Sequence, residues 1–181
     1  MKLKDAVPVF HAKHVVKITG VKINRLQPWL KEGYIKPSIE IADGHGSRNV
    51  YGMEDLYKIV IFSELIKSGI SRTHAAAIIK TDFNLDIDDV TPDKWLWLVV
   101  AWDKDSKSYT DKMTHWFHAP DSKAYKDLYP DESELDNNEL AVALHSRLFD
   151  CYRKGQKMMI ILDVTHVINQ VGKMIEKVGW D

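Results

Sequence analysis

Cysteine is nearly absent: Cys151 is alone among 181 residues. A single thiol excludes an intrachain disulfide and any Cys-rich zinc site, and makes thiol-based sensing of a soft metal untenable. Long apolar runs are missing as well. No stretch approaches the ~18 uninterrupted apolar residues of a membrane-spanning helix. The opening "MKLKDAVPVFHAKH" lacks the apolar core of a secretion signal, so a cytoplasmic location is expected. The local patterns behind most catalysis are lacking too: there is no Gly-rich phosphate loop, no nucleophile elbow and no metal-ligand cluster. His115 and His118 in "HWFH" stand three apart, which in a strand puts them on opposite faces, so they do not read as a metal pair. Asp88 and Asp89 read as solvated linker charge. The expectation is a protein that is not an enzyme and carries no metal and no cofactor.

What is present is enough apolar content for a core, 45% of residues, in a chain long enough for one ordinary domain or two small ones. Charge is divided. Residues 1–80 hold 13 Lys+Arg and 7 Asp+Glu, and residues 81–181 hold 12 and 19, so 13 − 7 = +6 stands against 12 − 19 = −7. That asymmetry suits a polyanion-binding half joined to one that stays off the polyanion.

The first half reads as short helices punctuated by glycine. "AKHVVKITG" sets Val15, Val16 and Ile18 together and stops at Gly20; "VKINRLQPWLKEG" places Ile23, Leu26, Trp29 and Leu30 at helical spacing and stops at Gly33. Two brief helices around a tight Gly turn predict a helix-turn-helix. "YIKPSIEIADGHGSRNVYG" then gives two extended runs, with Ile35, Ile39, Ile41, Val50 and Tyr51, around Gly44 and Gly46: a β-hairpin, or wing. A longer helix from Met53 to Ser68 turns Leu56, Ile59, Val60, Phe62, Leu65 and Ile66 inward, and Ser71 caps another through Ile78 and Ile79. Thr81 to Asp93 is an acidic link. Beyond it come a buried strand ("KWLWLVVAWD"), a hairpin partner ("SYTDKMTHWF"), a polar connection from Ala119 to Asn138, and a helix from Glu139 to Lys154. A strand ("KMMIILDV") and a helix from Val164 to Val178 complete the chain. The fold class expected is α+β: a winged helix-turn-helix over 10–80, a linker over 81–93, and a small ββαβα domain over 94–181.

The ordered set of motifs resembles the MerR family of bacterial transcription regulators over residues 10–80. It comprises "TGV" at the turn, "L..W...G.I.P" from the second helix into the wing, Arg48 and Tyr51 at the wing's return, "DL" at Asp55 and Leu56, and "L...GIS" from Leu65 to Ser71. The resemblance implies a homodimer on promoter DNA, RNA polymerase as a further partner, and a small-molecule effector sensed by the C-terminal half. A helix of this size fits the major groove, and Lys22, Asn24, Arg25, Gln27 and Lys31 would face phosphates and base edges. Arg48 on the wing, Lys13 and Lys17 on the first helix and Lys36 at the wing's entry would add backbone contacts. Where the family has an Arg and an aromatic before the position of Trp29, this sequence has Gln27 and Pro28. An interior proline costs roughly 3 kcal/mol in a free helix. The second helix is therefore expected to be distorted, or to start later than its periodicity suggests, and DNA affinity to be lower than usual. The competing reading is a winged protein-interaction or small-molecule-binding module that binds DNA weakly or not at all.

Two features of the second half have paired readings. The apolar stripe of the last helix is a dimer seam, or it packs on its own sheet. Trp95, Trp97, Trp102 and Trp116 line a pocket for a planar or apolar ligand, or they fill the core.

Overall fold

The computed structural model of the chain describes residues 8–42, 48–82, 96–101, 114–118, 146 and 159–178. The chain divides into two compact units, Met1–Ile79 with Val167–Asp181, and Lys80–His166.

The first unit opens with the predicted pair of helices. Helix α1, Ala12–Thr19, buries Val15 and Ile18, three residues apart, and leaves Val16 half-buried. It stops where Gly20 enters the left-handed region at φ 69°, which lets its N–H reach the Val16 carbonyl at 3.1 Å. Thr19 fixes the turn: its hydroxyl donates to the Val15 carbonyl at 2.7 Å and accepts from the Val21 N–H at 3.2 Å. Helix α2, Ile23–Lys31, then buries Leu26 completely and Trp29 to 4% exposure. The Trp29 ring meets Phe62 edge-on, centroids 4.9 Å apart.

Helix α2 differs from its sequence reading in two ways. Ile23, expected among the inward apolar set, is 44% exposed. Leu26 and Trp29 set the inward direction, and at 3.6 residues per turn Ile23 lies about 90° from it. The helix also starts where its periodicity places it and runs through Pro28. As the sixth helical residue, Pro28 has no N–H for the carbonyl of Asn24. The end of the helix offsets part of that loss. Gly33 turns left-handed at φ 71°, and its N–H and that of Tyr34 bond the carbonyls of Leu30 and Trp29 at 3.0 and 2.9 Å, a closed C-terminal cap. Because Pro28 is solvent-exposed, Pro28→Ala removes no packing. The ~3 kcal/mol interior penalty, less ~1 kcal/mol of added freedom in the unfolded chain, leaves an expected gain of about 2 kcal/mol. It is read as a higher urea midpoint at unchanged slope.

Helix α3, Met53–Lys67, is the hub of this unit. The inward stripe predicted for it is only part of what is buried: Val60 and Ile66 are half-exposed, whereas Tyr57 and Ile61 join Leu56, Ile59, Phe62 and Leu65 inside. A helix covered on most sides no longer shows a single apolar face. It ends as α2 does, with Gly69 at φ 96° and the N–H groups of Gly69 and Ile70 bonded to the carbonyls of Ile66 and Leu65. Helix α4, Arg72–Asp82, begins at the expected Ser71 cap, whose hydroxyl accepts the His74 N–H at 3.3 Å. It includes Thr81 and Asp82, two residues that the sequence reading gave to the linker.

The wing is smaller than the predicted hairpin. Strand β1, Phe10–His11, pairs antiparallel with β2, Val50–Tyr51, and the other edge of Val50 forms one bridge with Glu40. Asn49 extends that bridge, its side-chain oxygen accepting the Ala42 N–H at 2.8 Å. Ile39 and Ile41 are exposed; a lone bridge provides no sheet face to cover them. Gly44 and Gly46 lie outside the described residues.

In the second unit, β3, Leu96–Ala101, lies between β4, Thr114–His118, and β5, Met159–Asp163, all antiparallel. Leu98, Val99 and Val100 are fully buried, so the central strand is covered on both faces, as its unbroken apolar run predicts. Asp163 ends β5 and caps the last helix, α5, Val164–Val178, which from Val167 on is part of the first unit; its carboxylate accepts the His166 N–H at 2.9 Å. Val164, Val167, Ile168 and Val171 are buried along α5. The helix expected from Glu139 to Lys154, with Cys151, and the connection from Ala119 to Asn138 lie outside the described residues, apart from the single helical position Ser146.

Candidate nucleic-acid interface

Burying Leu26 and Trp29 decides what α2 offers to solvent. Asn24, Gln27, Pro28 and Lys31 fall on the side opposite those two, whereas Arg25 stands about 70° from the inward direction and Lys22 is the N-cap before the helix. All are exposed, and so are Lys13, Lys17, Lys36 and Arg48. Among the described residues the ion pairs are Lys58 with Glu54 and Lys67 with Glu64, so none of the seven cations predicted to meet DNA is neutralised by a described acid. Unpaired cations leave their charge free for phosphates, with no salt bridge to break first. The start of α2 adds to the field: no side chain caps its first-turn amides, and no acid stands in that turn. Uncapped amides at the positive end of a helix favour an anion.

The structure gathers four of these residues, Lys13, Lys22, Arg25 and Arg48, into two grooves. One, of about 160 Å³, lies along the turn from Thr19 to Lys22 with Arg25, and is closed by Ser63, Glu64 and Lys67 of α3. The other, of about 510 Å³, runs between the start of α1 and the wing and joins Lys13 to Arg48, with His11, His14 and Asn49 beside them. Lys17, Asn24, Gln27, Lys31 and Lys36 belong to neither. Sequence reasoning missed Lys67 and the two histidines. "HAKH" does show histidines three apart at a helix start, but nothing local says that the wing comes back beside them.

The wing's position depends on one buried acid. The Asp55 carboxylate, 1% exposed, accepts the Gly52 N–H at 2.8 Å, the Ser38 N–H at 2.9 Å and the Ser38 hydroxyl at 2.8 Å through a single oxygen, Oδ2. It thereby ties the entry of the wing to the start of α3. Gly52 leaves the room: a Cβ there would come within 3.0 Å of the Ser38 Oγ.

Two helices around a three-residue turn, a short wing pinned to a buried central helix, and a surface of cations that no described acid pairs make a winged helix-turn-helix. Residues 10–82 match the profile of the MerR HTH family regulatory protein. This domain belongs to the MerR family. No curated protein matches the chain. The MerR-type domain identifies a DNA-binding transcriptional regulator in general terms.

The tryptophans of the second unit are only partly placed. Trp97 is on β3 opposite Phe117, Trp116 is on β4 opposite Leu98, and the two hold positions of opposite parity in the ladder. Trp95 and Trp102 lie outside the described residues. Among the described residues, no group of three or more His, Cys, Asp or Glu is placed to hold a metal ion, and no helix is long and apolar enough to cross a membrane.

Proposed function

We propose that this MerR-family protein binds promoter duplex DNA as a homodimer, with α2 in the major groove and the wing on the flanking backbone. Lys22, Asn24, Arg25, Gln27 and Lys31 contact phosphates and base edges, and Lys13, Lys17, Lys36 and Arg48 hold the backbone. The observation that carries this reading is that all nine side chains are exposed, and their seven cations unpaired among the described residues, while Leu26 and Trp29 hold the same helix to the core. Pro28 places an apolar ring among the polar groups of the outward face, where it suits a thymine methyl better than a phosphate. The C-terminal half is the effector-responsive part, with a small apolar or planar molecule held there; Trp97 and Trp116, on opposite faces of the sheet, do not line one pocket together. The stripe of α5 is already buried within the single chain, so the dimer seam lies elsewhere, and RNA polymerase is the partner through which the response is read.

Titrating salt against binding to a labelled duplex tests the core of this reading. Affinity is expected to fall with rising salt, with a log–log slope of about −0.9 for each phosphate neutralised. Arg25→Ala and Arg48→Ala should each cost ~1–3 kcal/mol. Binding that is undetectable at low salt, or indifferent to salt, would favour the protein-interaction module instead.

A further inference from the structure

We propose that the groove between α1 and the wing is a proton-linked phosphate site, in which one DNA backbone phosphate sits among Lys13, His14 and Arg48 and its binding adds a proton to His14. This rests on the DNA-binding reading above and goes beyond it, since neither histidine belongs to the set of contacts that the family resemblance implies.

The geometry fixes how His14 is presented. Its Nδ1 accepts the His11 N–H at 3.3 Å, so the neutral ring carries its proton on Nε2, which is left to donate. The two imidazoles are 6.0 Å apart, and His11 Nδ1 is buried with no hydrogen-bond partner among the described residues. The groups that bear on His14 are Lys13 and Lys17 of its own helix and His11 of β1, and Arg48 of the wing lines the same groove. No described acid lines it. In the free protein, burial first, and then Lys13, His11 and Lys17, hold the His14 pKa below its usual value. A phosphate reverses that balance by placing a negative charge among these cations. Protonation turns Nδ1 from acceptor to donor and gives up the 3.3 Å bond, which is at the long end of the range, in exchange for a charge-assisted bond to phosphate.

The sign follows from linkage. A site whose pKa is higher in the complex than in the free protein takes up a proton on binding, so affinity rises as pH falls between the two values. One proton contributes at most about tenfold per pH unit. The dissociation constant for a labelled mixed-sequence duplex is expected to tighten about fivefold from about pH 8 to about pH 6 at fixed low salt. His14→Asn should flatten that dependence, and His74→Asn, on helix α4, should keep it. Calorimetry on the unmodified protein is independent of any folding defect in a variant. The binding enthalpy near pH 6.5 should change with the ionisation enthalpy of the buffer, reporting the proton taken up. A buffer-independent enthalpy, or an undiminished pH dependence in His14→Asn, overturns this proposal and leaves the DNA-binding reading intact. No binding at any pH overturns both.

Discussion

Asp55→Ala is expected to lower the unfolding free energy by about 3 kcal/mol and to release the wing from helix α3. The carboxylate oxygen serves three donors, and hydrogen bonds to a charged acceptor contribute about 1.5–3 kcal/mol each. Their simple sum overshoots, because Ser38 is exposed and water can take the place of the acid for both of its donors. The bond to the Gly52 N–H is buried, and an unsatisfied buried donor costs about 1–3 kcal/mol. Loss of a negative charge from the first turn of α3 adds a further ~0.3–1 kcal/mol. A domain of ordinary stability has about 5–15 kcal/mol in all, so the variant folds but is weakened. Urea unfolding followed by circular dichroism measures the loss. The same variant should bind duplex DNA more weakly and with a shallower salt slope, because Arg48 is no longer held beside α1. A loss below ~1 kcal/mol would show that the Ser38 and Gly52 donors find other partners.

Trp29→Ala is expected to cost more, about 3–5 kcal/mol. The side chain is 4% exposed and lies edge-on to Phe62, so truncation opens a cavity against the central helix rather than baring a surface. Leu26 and Trp29 are the two fully inward residues of α2, and with one gone the helix keeps only Leu26 to hold it. DNA binding should fall to background with the helix loosened, whereas Trp29→Phe, which refills most of the space, should recover much of both. If Trp29→Ala unfolds at nearly the wild-type denaturant concentration, the indole is not a principal tie between α2 and the body of the domain.

These two residues show how unevenly the sequence discloses its fold. Trp29 announces itself: it stands three residues from Leu26 in a run closed by Gly33, and three-residue spacing followed by glycine is a local pattern. Asp55 sits in a "DL" that the family resemblance picks out, yet its role depends on Ser38, 17 residues away, and no periodicity reports such a bond. The wing follows the same division. The Gly-flanked extended runs predicted a hairpin of which the described residues keep only β2 and the Glu40 bridge, and the pairing of β2 with β1 joins Tyr51 to Phe10; a two-residue strand carries no pattern of its own. Ile23 fits the helical spacing and is nevertheless exposed, because spacing fixes a face only to within a turn and the neighbours decide its centre. In the second unit β3 was legible because an unbroken apolar run belongs to a covered strand, and Leu98, Val99 and Val100 are buried.

By itself, the sequence determined the helices of the N-terminal half, the glycine stops of α1, α2 and α3, the buried middle of strand β3 and the cationic N-terminal half, all set by chemistry within a turn or two of chain. Only the tertiary structure decided that Arg48 returns beside Lys13 and His14, that Lys67 closes the groove by the turn, and that one carboxylate holds the wing. Each of these joins residues far apart in sequence, and only the shared burial of α1, α2 and the wing against α3 brings them together.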